Sequence, residues 1–410
     1  MSVRVSSGFP ATRLFWLIHA AVALCLIIRA DTCSCVFVGR VNGRNAAFVA
    51  PQPRPATRRS IPLMGAIAGI QPSGDLHIGN YIGCIHPAVQ YQNDGGQLIF
   101  MIADLHATTG DEPIVDLRDR SLSTVATLLA CGVDPEKASV ILQSQFPEIL
   151  ELNWILGTAV SLGRLRKRAN FAKRLVAQES DSIGQCLYPL LMAADVLCSD
   201  SDTIIAGDDQ ACHIGLIREV ANKLNRRISQ PVVKVPRRHR NGGFRVLSLD
   251  GADKMSKSNS KESSRIHLTD DDETILTKLR AAKTTSDNDQ AAPEITNLIK
   301  LLRFFSGEPV DESDSGYSEI QYSELKSQLH EAISSYLQPI RTRYLELMQN
   351  EAMLKEVLQL GRHRQQPVFS SAIEVKHVGA AFTIFSASSE LATIMSRKLN
   401  TVSLIHEPRQ

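Results

Sequence analysis

From residue 65 onward the apolar positions alternate between two kinds of run. Residues 66–70, 97–102 and 138–143 are short, unbroken apolar stretches that stop at turn or polar residues, as parallel strands buried on both faces do. The stretches between them repeat at helical spacing; in 116–131, Leu117, Leu122, Val125, Leu128 and Leu129 fall on one side. That rhythm predicts an α/β fold with a doubly wound parallel sheet. Ligands of such sheets bind beyond the carboxyl ends of the strands, where Asp104-Leu105-His106 and Gln143-Ser144-Gln145 fall.

Residues 151–227 read as mostly helix, with segments at 183–199, interrupted at Tyr188-Pro189, and at 213–225. A connection rich in Pro, Arg and Gly follows at 231–243, and 244–249 reads as a last strand. From Asp270 to about Leu360 the pattern is helical throughout. Leu276, Leu279, Leu298, Leu301, Leu302, Tyr336, Leu337, Ile340, Tyr344 and Leu347 lie on its amphipathic faces, which predicts a separate helical domain. Gln365-Gln366-Pro367 then breaks the period, so residues 362–410 read as a divergent tail, either lineage-specific or translated non-coding sequence.

Composition adds bounds. A chain of 410 residues, 43% hydrophobic and 21% charged, has room for two or three domains with sizeable cores. Its net charge of +2 neither demands nor excludes a nucleic acid, so any basic surface is local. Eight cysteines, among them Cys33, Cys35, Cys84, Cys131, Cys186, Cys198 and Cys212, keep no ligand spacing and read as thiols in a reducing compartment. At the N-terminus, Arg4 and Arg13 accompany an apolar run at 14–28, short for a membrane span and right for a signal-peptide core. No acidic residue stands between Asp31 and Asp75, while Arg40, Arg44, Arg54, Arg58 and Arg59 recur among Ala, Ser, Thr and Pro. Residues 1–30 thus read as signal-like and 31–63 as a disordered transit peptide, a bipartite leader addressed to a plastid of secondary origin. A mitochondrial presequence and a disordered extension behind a membrane anchor are the alternatives. The mature form is expected to keep no membrane association.

Two motifs carry chemistry. Gln71-Pro72-Ser73-Gly74 leads into His77-Ile78-Gly79-Asn80, a Gly-punctuated turn that opens a helix, whose unpaired N–H groups and partial positive charge suit a polyphosphate. Lys254-Met255-Ser256-Lys257-Ser258 places two lysines three residues apart on a loop, a clamp for the same kind of group. Either alone is an ordinary turn or solvated loop. Their order, the first after a strand and the second far downstream, resembles the class I aminoacyl-tRNA synthetases. Gly69 to Gly74, Gly79 to Gly83, Tyr188 to Asp195 and Gly207-Asp208-Asp209-Gln210 are similar to the bacterial and organellar tryptophanyl-tRNA synthetases, over about 65–360.

The resemblance implies a Rossmann-like catalytic domain with a helical insertion at 64–265 and an α-helical anticodon-binding domain at 266–361. It implies ATP-dependent activation of L-tryptophan to the adenylate and transfer to tRNA(Trp), with Mg2+ arriving on ATP, no dedicated protein metal site, and a homodimer. His77, Asn80, Lys254 and Lys257 would be catalytic. Gln71, Pro72, Ser73, Gly79, Asn80, Gly207, Asp208, Asp209, Val246, Lys254, Met255, Ser256, Lys257 and Ser258 would meet ATP. Asp195 would accept the indole N–H in a slot made with Tyr188, Met192 and Ile67, and Gly69, Gln71 and Gln210 would complete the amino-acid site. His106 and Gln143, ending neighbouring strands, are expected to line the same cleft.

Two basic runs read most naturally as phosphate-neutralising, with solvated faces as the alternative: Arg164-Leu165-Arg166-Lys167-Arg168 with Lys173 and Arg174, and Arg237-Arg238-His239-Arg240. The first departs from the family, which carries acidic and neutral residues at Arg164, Arg166 and Arg168 and often a lysine at Arg174. Alternative readings are a tyrosyl-type enzyme, a catalytically silent RNA-binding paralogue, and a small-molecule nucleotidyltransferase. The last has no need of the helical domain or of Asp195, and a silent paralogue has no need of Lys254 and Lys257.

Overall fold

The computed structural model describes residues 36–41, 44–49, 65–110, 113–168, 182–229, 231–239, 244–251, 253–256, 261–284, 292–310 and 320–379. The chain divides into two units, 1–61 and 62–410. In the first, strand β1 (Val36–Val41) pairs antiparallel with β2 (Arg44–Val49), Val41 opposite Arg44. This hairpin lies inside the segment expected to be disordered. The rest of the leader, and the tail from 380 on, lie outside the described residues.

The second unit is built on a five-stranded sheet in the order β5-β4-β3-β6-β7, every neighbouring pair parallel. Its strands are β3 (Ala66–Ile70), β4 (Leu98–Ile102), β5 (Ala138–Leu142), β6 (Thr203–Ile205) and β7 (Arg237–Arg238). Side chains alternate between two hydrophobic layers, as the pleat requires. Ala66, Ala68, Ile70, Phe100 and Val140 face one core, and Ile67, Ile99, Met101 and Ile141 the other. The first layer is covered by helix α1 (78–93), α3 (Leu117–Ala130) and the helices α8 (Asp272–Ala281), α9 (Pro293–Phe305) and α10 (Tyr322–Met348). The second is covered by α4 (Pro147–Ala159), α6 (Ile183–Cys198) and α7 (Ala211–Ile228). Two short helices, α2 (Asp104–Ala107) and α5 (Leu162–Arg168), complete the set before the last, α11 (Glu351–Gly379). No described helix is long and apolar enough to cross a membrane.

Several expectations are corrected. Residues 244–249 do not join the sheet. Their backbone is satisfied by the chain's own return, Met255 N donating to Val246 O (3.0 Å) and Ser248 N to Asp253 O (2.8 Å), and by Asn297, whose carboxamide bonds both N–H and C=O of Leu247. The fifth strand is instead Arg237–Arg238, which sequence pattern does not mark, and β6 falls within a stretch expected to be helical. Helix α6 passes Pro189 without interruption: Ser182 and Gln185 form a capping box at its start, and Leu190, Ala193, Ala194 and Leu197 bury its inner face.

Nor does Pro367 end helix α11. A proline inside a helix costs about 3 kcal/mol, and tertiary packing offsets it here. Phe369 is fully buried with its ring 4.2 Å from that of Phe146, and Gln365 donates to Ser139 Oγ at 2.8 Å. The helix thereby covers edge strand β5, so closely that a Cβ on Gly361 would stand 2.0 Å from Val140 O.

Candidate active site at the carboxyl ends of the strands

The turn after β3 carries Gln71, Pro72 and Ser73 into the start of α1. His77 caps that helix: its Nδ1 accepts from Gly79 N (3.1 Å) while Asn80 Oδ1 accepts from His77 N (3.2 Å). Having no Cβ, Gly79 lets the His77 ring and Met255 close over it; a Cβ there would lie 3.0 Å from the ring and 3.5 Å from Met255 Cβ. The signature turn and the lysine loop therefore pack against each other. A π-helical turn, Tyr81–Ile85, follows and brings the Cys84 thiol to Gly69 O near the end of β3. Burial pushes the Cys84 thiol up to about 12, so it stays protonated.

Gly79, Gly83, Gly207, Asp209, Val246 and Lys254 line one cavity, together with Phe244 and Arg245, which the sequence reading did not single out. Val246 is 2% exposed and offers the cavity little but its backbone. Across the cavity Lys254 Nζ pairs with Asp209 Oδ2 at 2.7 Å. Burial works against ionisation of Asp209, but the hydrogen bond and charge of Lys254 outweigh it and hold the carboxyl below its ordinary range. Lys257 and Ser258 lie outside the described residues, as does the side chain of Asp208. Ser256 is held through its carbonyl, which accepts from Arg265 at 3.4 Å.

A second cluster sits between β4, β5 and α6. Asp195, 6% exposed, receives Gln143 Nε2 on Oδ1 at 2.7 Å, and its Oδ2 lies 3.6 Å from His106 Nδ1. Burial raises Asp195 to about 8; the Gln143 hydrogen bond pulls it down and nearby Asp104 pushes it up. His106 moves the other way, lowered to about 4 chiefly by burial, so its ring is neutral at physiological pH. Tyr188 stands edge-on to His106, ring centroids 4.5 Å apart, while Ile67 is buried and Met192 half-buried nearby in the second core. Gln143, expected to line the cleft, is 0% exposed and stands behind it.

The clusters are connected. Asp209 Oδ2 accepts from Gln210 Nε2 (2.6 Å), Gln210 Oε1 meets His213 Nδ1 (2.9 Å), and the His213 ring lies 5.8 Å from Tyr188. His213 is the residue that sequence reasoning missed; its position one turn beyond Gly207-Asp208-Asp209-Gln210 was the available signal. Among the basic residues, Arg164 forms an ion pair with Glu219 of α7 instead of projecting into the cleft. Arg237 and His239 line a depression with Gly65, Tyr91 and Thr203 at the amino-terminal ends of the strands, away from both clusters. The side chains of 166–168 and residues 173, 174 and 240 lie outside the described set.

A family model for tRNA synthetases class I (W and Y) matches residues 63–338. A tryptophan–tRNA ligase of Rickettsia felis is 37% identical over 319 residues, 76% of this chain and 96% of that protein. Among solved structures, a tryptophanyl-tRNA synthetase of Mycoplasma pneumoniae aligns with a TM-score of 0.70 and 29% identity, covering 77% of this chain and 97% of the other. The Campylobacter jejuni enzyme, solved with ADP and tryptophan, aligns with a TM-score of 0.64 and 30% identity, covering 77% and 98%. With most of its length matched by the family model and by a relative of this identity, the chain belongs to the tRNA synthetases class I (W and Y).

Proposed function

We infer that the protein is a tryptophan–tRNA ligase, activating L-tryptophan with MgATP to tryptophanyl-adenylate and passing it to the terminal adenosine of tRNA(Trp). The observation that carries this is a buried, hydrogen-bonded carboxylate, Asp195, in a slot beside Tyr188, joined by contacts to a Gly-lined cavity closed by Lys254. Asp195 accepts the indole N–H; an amino acid without one leaves a buried acceptor unpaired, which penalises it beyond shape. Activation places the tryptophan carboxylate in line with the α-phosphate, and magnesium pyrophosphate departs. The protein contributes positioning and charge stabilisation. Gln71, Pro72, Ser73 and Asn80 frame the phosphates, and the carboxylates of the 207–210 turn accept from the ribose hydroxyls. Lys254 leaves Asp209 for the leaving phosphates, with Lys257 as its companion. Mg2+ comes with ATP. Tryptophan-dependent pyrophosphate exchange tests the reading, and exchange driven by tyrosine but not tryptophan overturns it.

A second copy of the chain is the proposed occupant of the exposed apolar face of α4, where Leu150 (49% exposed) and Trp154 (77%) stand one turn apart. Light scattering of wild type and Trp154→Arg checks this: a dimer that the variant converts to monomer supports it, and a wild-type monomer refutes it. Delivery by residues 1–63 to a plastid rests on the signal-like core and the acid-free basic stretch, and a reporter fused to that segment distinguishes plastid, mitochondrion and secretory pathway.

A further inference from the structure

Gln143 closes strand β5 and is sealed from solvent, so it touches the ligand space only through its neighbours. Its Oε1 accepts from two backbone donors, Leu105 N (3.1 Å) and His106 N (3.3 Å). Only a carbonyl oxygen can accept from both, which fixes the amide orientation without reference to any side chain. Nε2 is therefore turned outward. It donates to Asp195 Oδ1 at 2.7 Å and lies 3.0 Å from His106 Nδ1. Asp195 Oδ1 is thus taken, and Oδ2 receives no hydrogen bond from the described residues.

We propose that Gln143 is a positioning residue for amino-acid selection: by holding Oδ1 of Asp195 it leaves Oδ2 as the single acceptor offered to the substrate, and as the single seat for a proton when Asp195 is neutral. The proposal rests on Asp195 being the indole acceptor. Its consequence is chemical. A proton on Oδ2 turns the acceptor into a donor aimed at another donor, so the substrate binds the ionised form. The groups facing Asp195 are Asp104 and His106 on α2, Gln143 on β5's end and Tyr188 on its own helix, with His213 of α7 behind Tyr188. His106 is neutral and Asp104 repels, so Gln143 is the one neighbour among them that favours ionisation.

The test is pyrophosphate exchange by the purified full chain as a function of pH, with Gln143→Glu and Gln143→Met. The first keeps the volume and the acceptor for both backbone N–H groups but replaces the amide donor by a second carboxyl beside Asp195; the second removes donor and acceptor without adding charge. Loss of one hydrogen bond to a charged group predicts a tryptophan KM raised about tenfold, the ATP KM unchanged, and the pH midpoint of the tryptophan KM moved upward by about one unit. A part that merely fills the core lowers the melting temperature without moving that midpoint. An unmoved midpoint in Gln143→Met, or equal losses toward ATP and tryptophan, overturns the proposal. Asp195→Asn separates the two layers. If it leaves the tryptophan KM unchanged, the indole-acceptor reading fails; if it raises that KM while both Gln143 variants behave as wild type, the role of Gln143 alone fails.

Discussion

Replacing Asp195 by Asn should stabilise the protein above neutral pH while impairing its use of tryptophan. The ordinary carboxyl value of 3.8 is raised to about 8 in the folded chain. Between those values the native state carries a proton that the unfolded chain has lost, so stability falls as pH rises, by about 1.4 kcal/mol per unit while the native group stays fully protonated. That stabilisation is complete below the unfolded value and is lost as pH passes the folded one. His106, lowered to about 4, acts in the opposite direction, adding stability as pH climbs from 4 toward its ordinary 6.5. The clean window is therefore pH 6.5–8. Integrating a group with a folded pKa of about 8 over that window gives a loss of about 1–2 kcal/mol that Asn cannot show. Asn still accepts from Gln143 Nε2 through its own Oδ1, so the fold keeps its hydrogen bond. Urea denaturation of both proteins without ligand at several pH values measures the difference. Curves that stay parallel from pH 6.5 to 8 refute the burial argument for Asp195.

Lys254→Ala removes the cavity's pairing cation: pyrophosphate exchange should slow by about 10²-fold or more with tryptophan affinity near normal, and an unchanged rate excludes the leaving-group role. Phe369→Ala, by emptying the contact with Phe146, should cost about 3–5 kcal/mol in denaturant titration. A loss below about 1 kcal/mol would mean that the segment after Pro367 is not part of the core.

Strands β3, β4 and β5 are legible in the sequence because a parallel strand buried on both faces is an unbroken apolar run. The same logic hides β7, which is two arginines held by backbone pairing to β6, with Arg237 N donating to Asp202 O at 2.9 Å. It also misreads 244–249, whose strand-like pattern is satisfied by Asn297 and by its own return. At Pro367 a sound local rule loses to the packing of Phe369 on Phe146, a partner far away in the sequence that no helical period can reveal. Asn42-Gly43 is a strong hairpin signal that the basic, acid-free composition around it obscured. In the site, motif residues are recognisable because phosphate chemistry constrains spacing. His213 and the concealed position of Gln143 depend on which helix crosses which strand end, and no local pattern encodes that.

The line Lys254–Asp209–Gln210–His213–Tyr188–His106 gives the two clusters a physical reason to respond to each other. On the proposed function, a nucleotide that drew Lys254 to its phosphates would remove the strongest partner of Asp209, leave Gln210 as its side-chain donor, and hold Gln210 Oε1 toward His213. The ring behind Tyr188 would then be ordered and, through it, the wall of the amino-acid slot. Contact alone does not establish coupling, and linkage supplies the check, since a nucleotide that sharpens tryptophan binding by some factor has its own binding sharpened equally. His213→Ala cuts the line between the two clusters without touching Lys254, Asp209 or Asp195. Titration calorimetry of tryptophan with and without a non-hydrolysable ATP analogue should show a factor of about 5 or more in the wild type that approaches one in the variant. The same factor in both proteins would mean that the clusters communicate through the sheet or not at all.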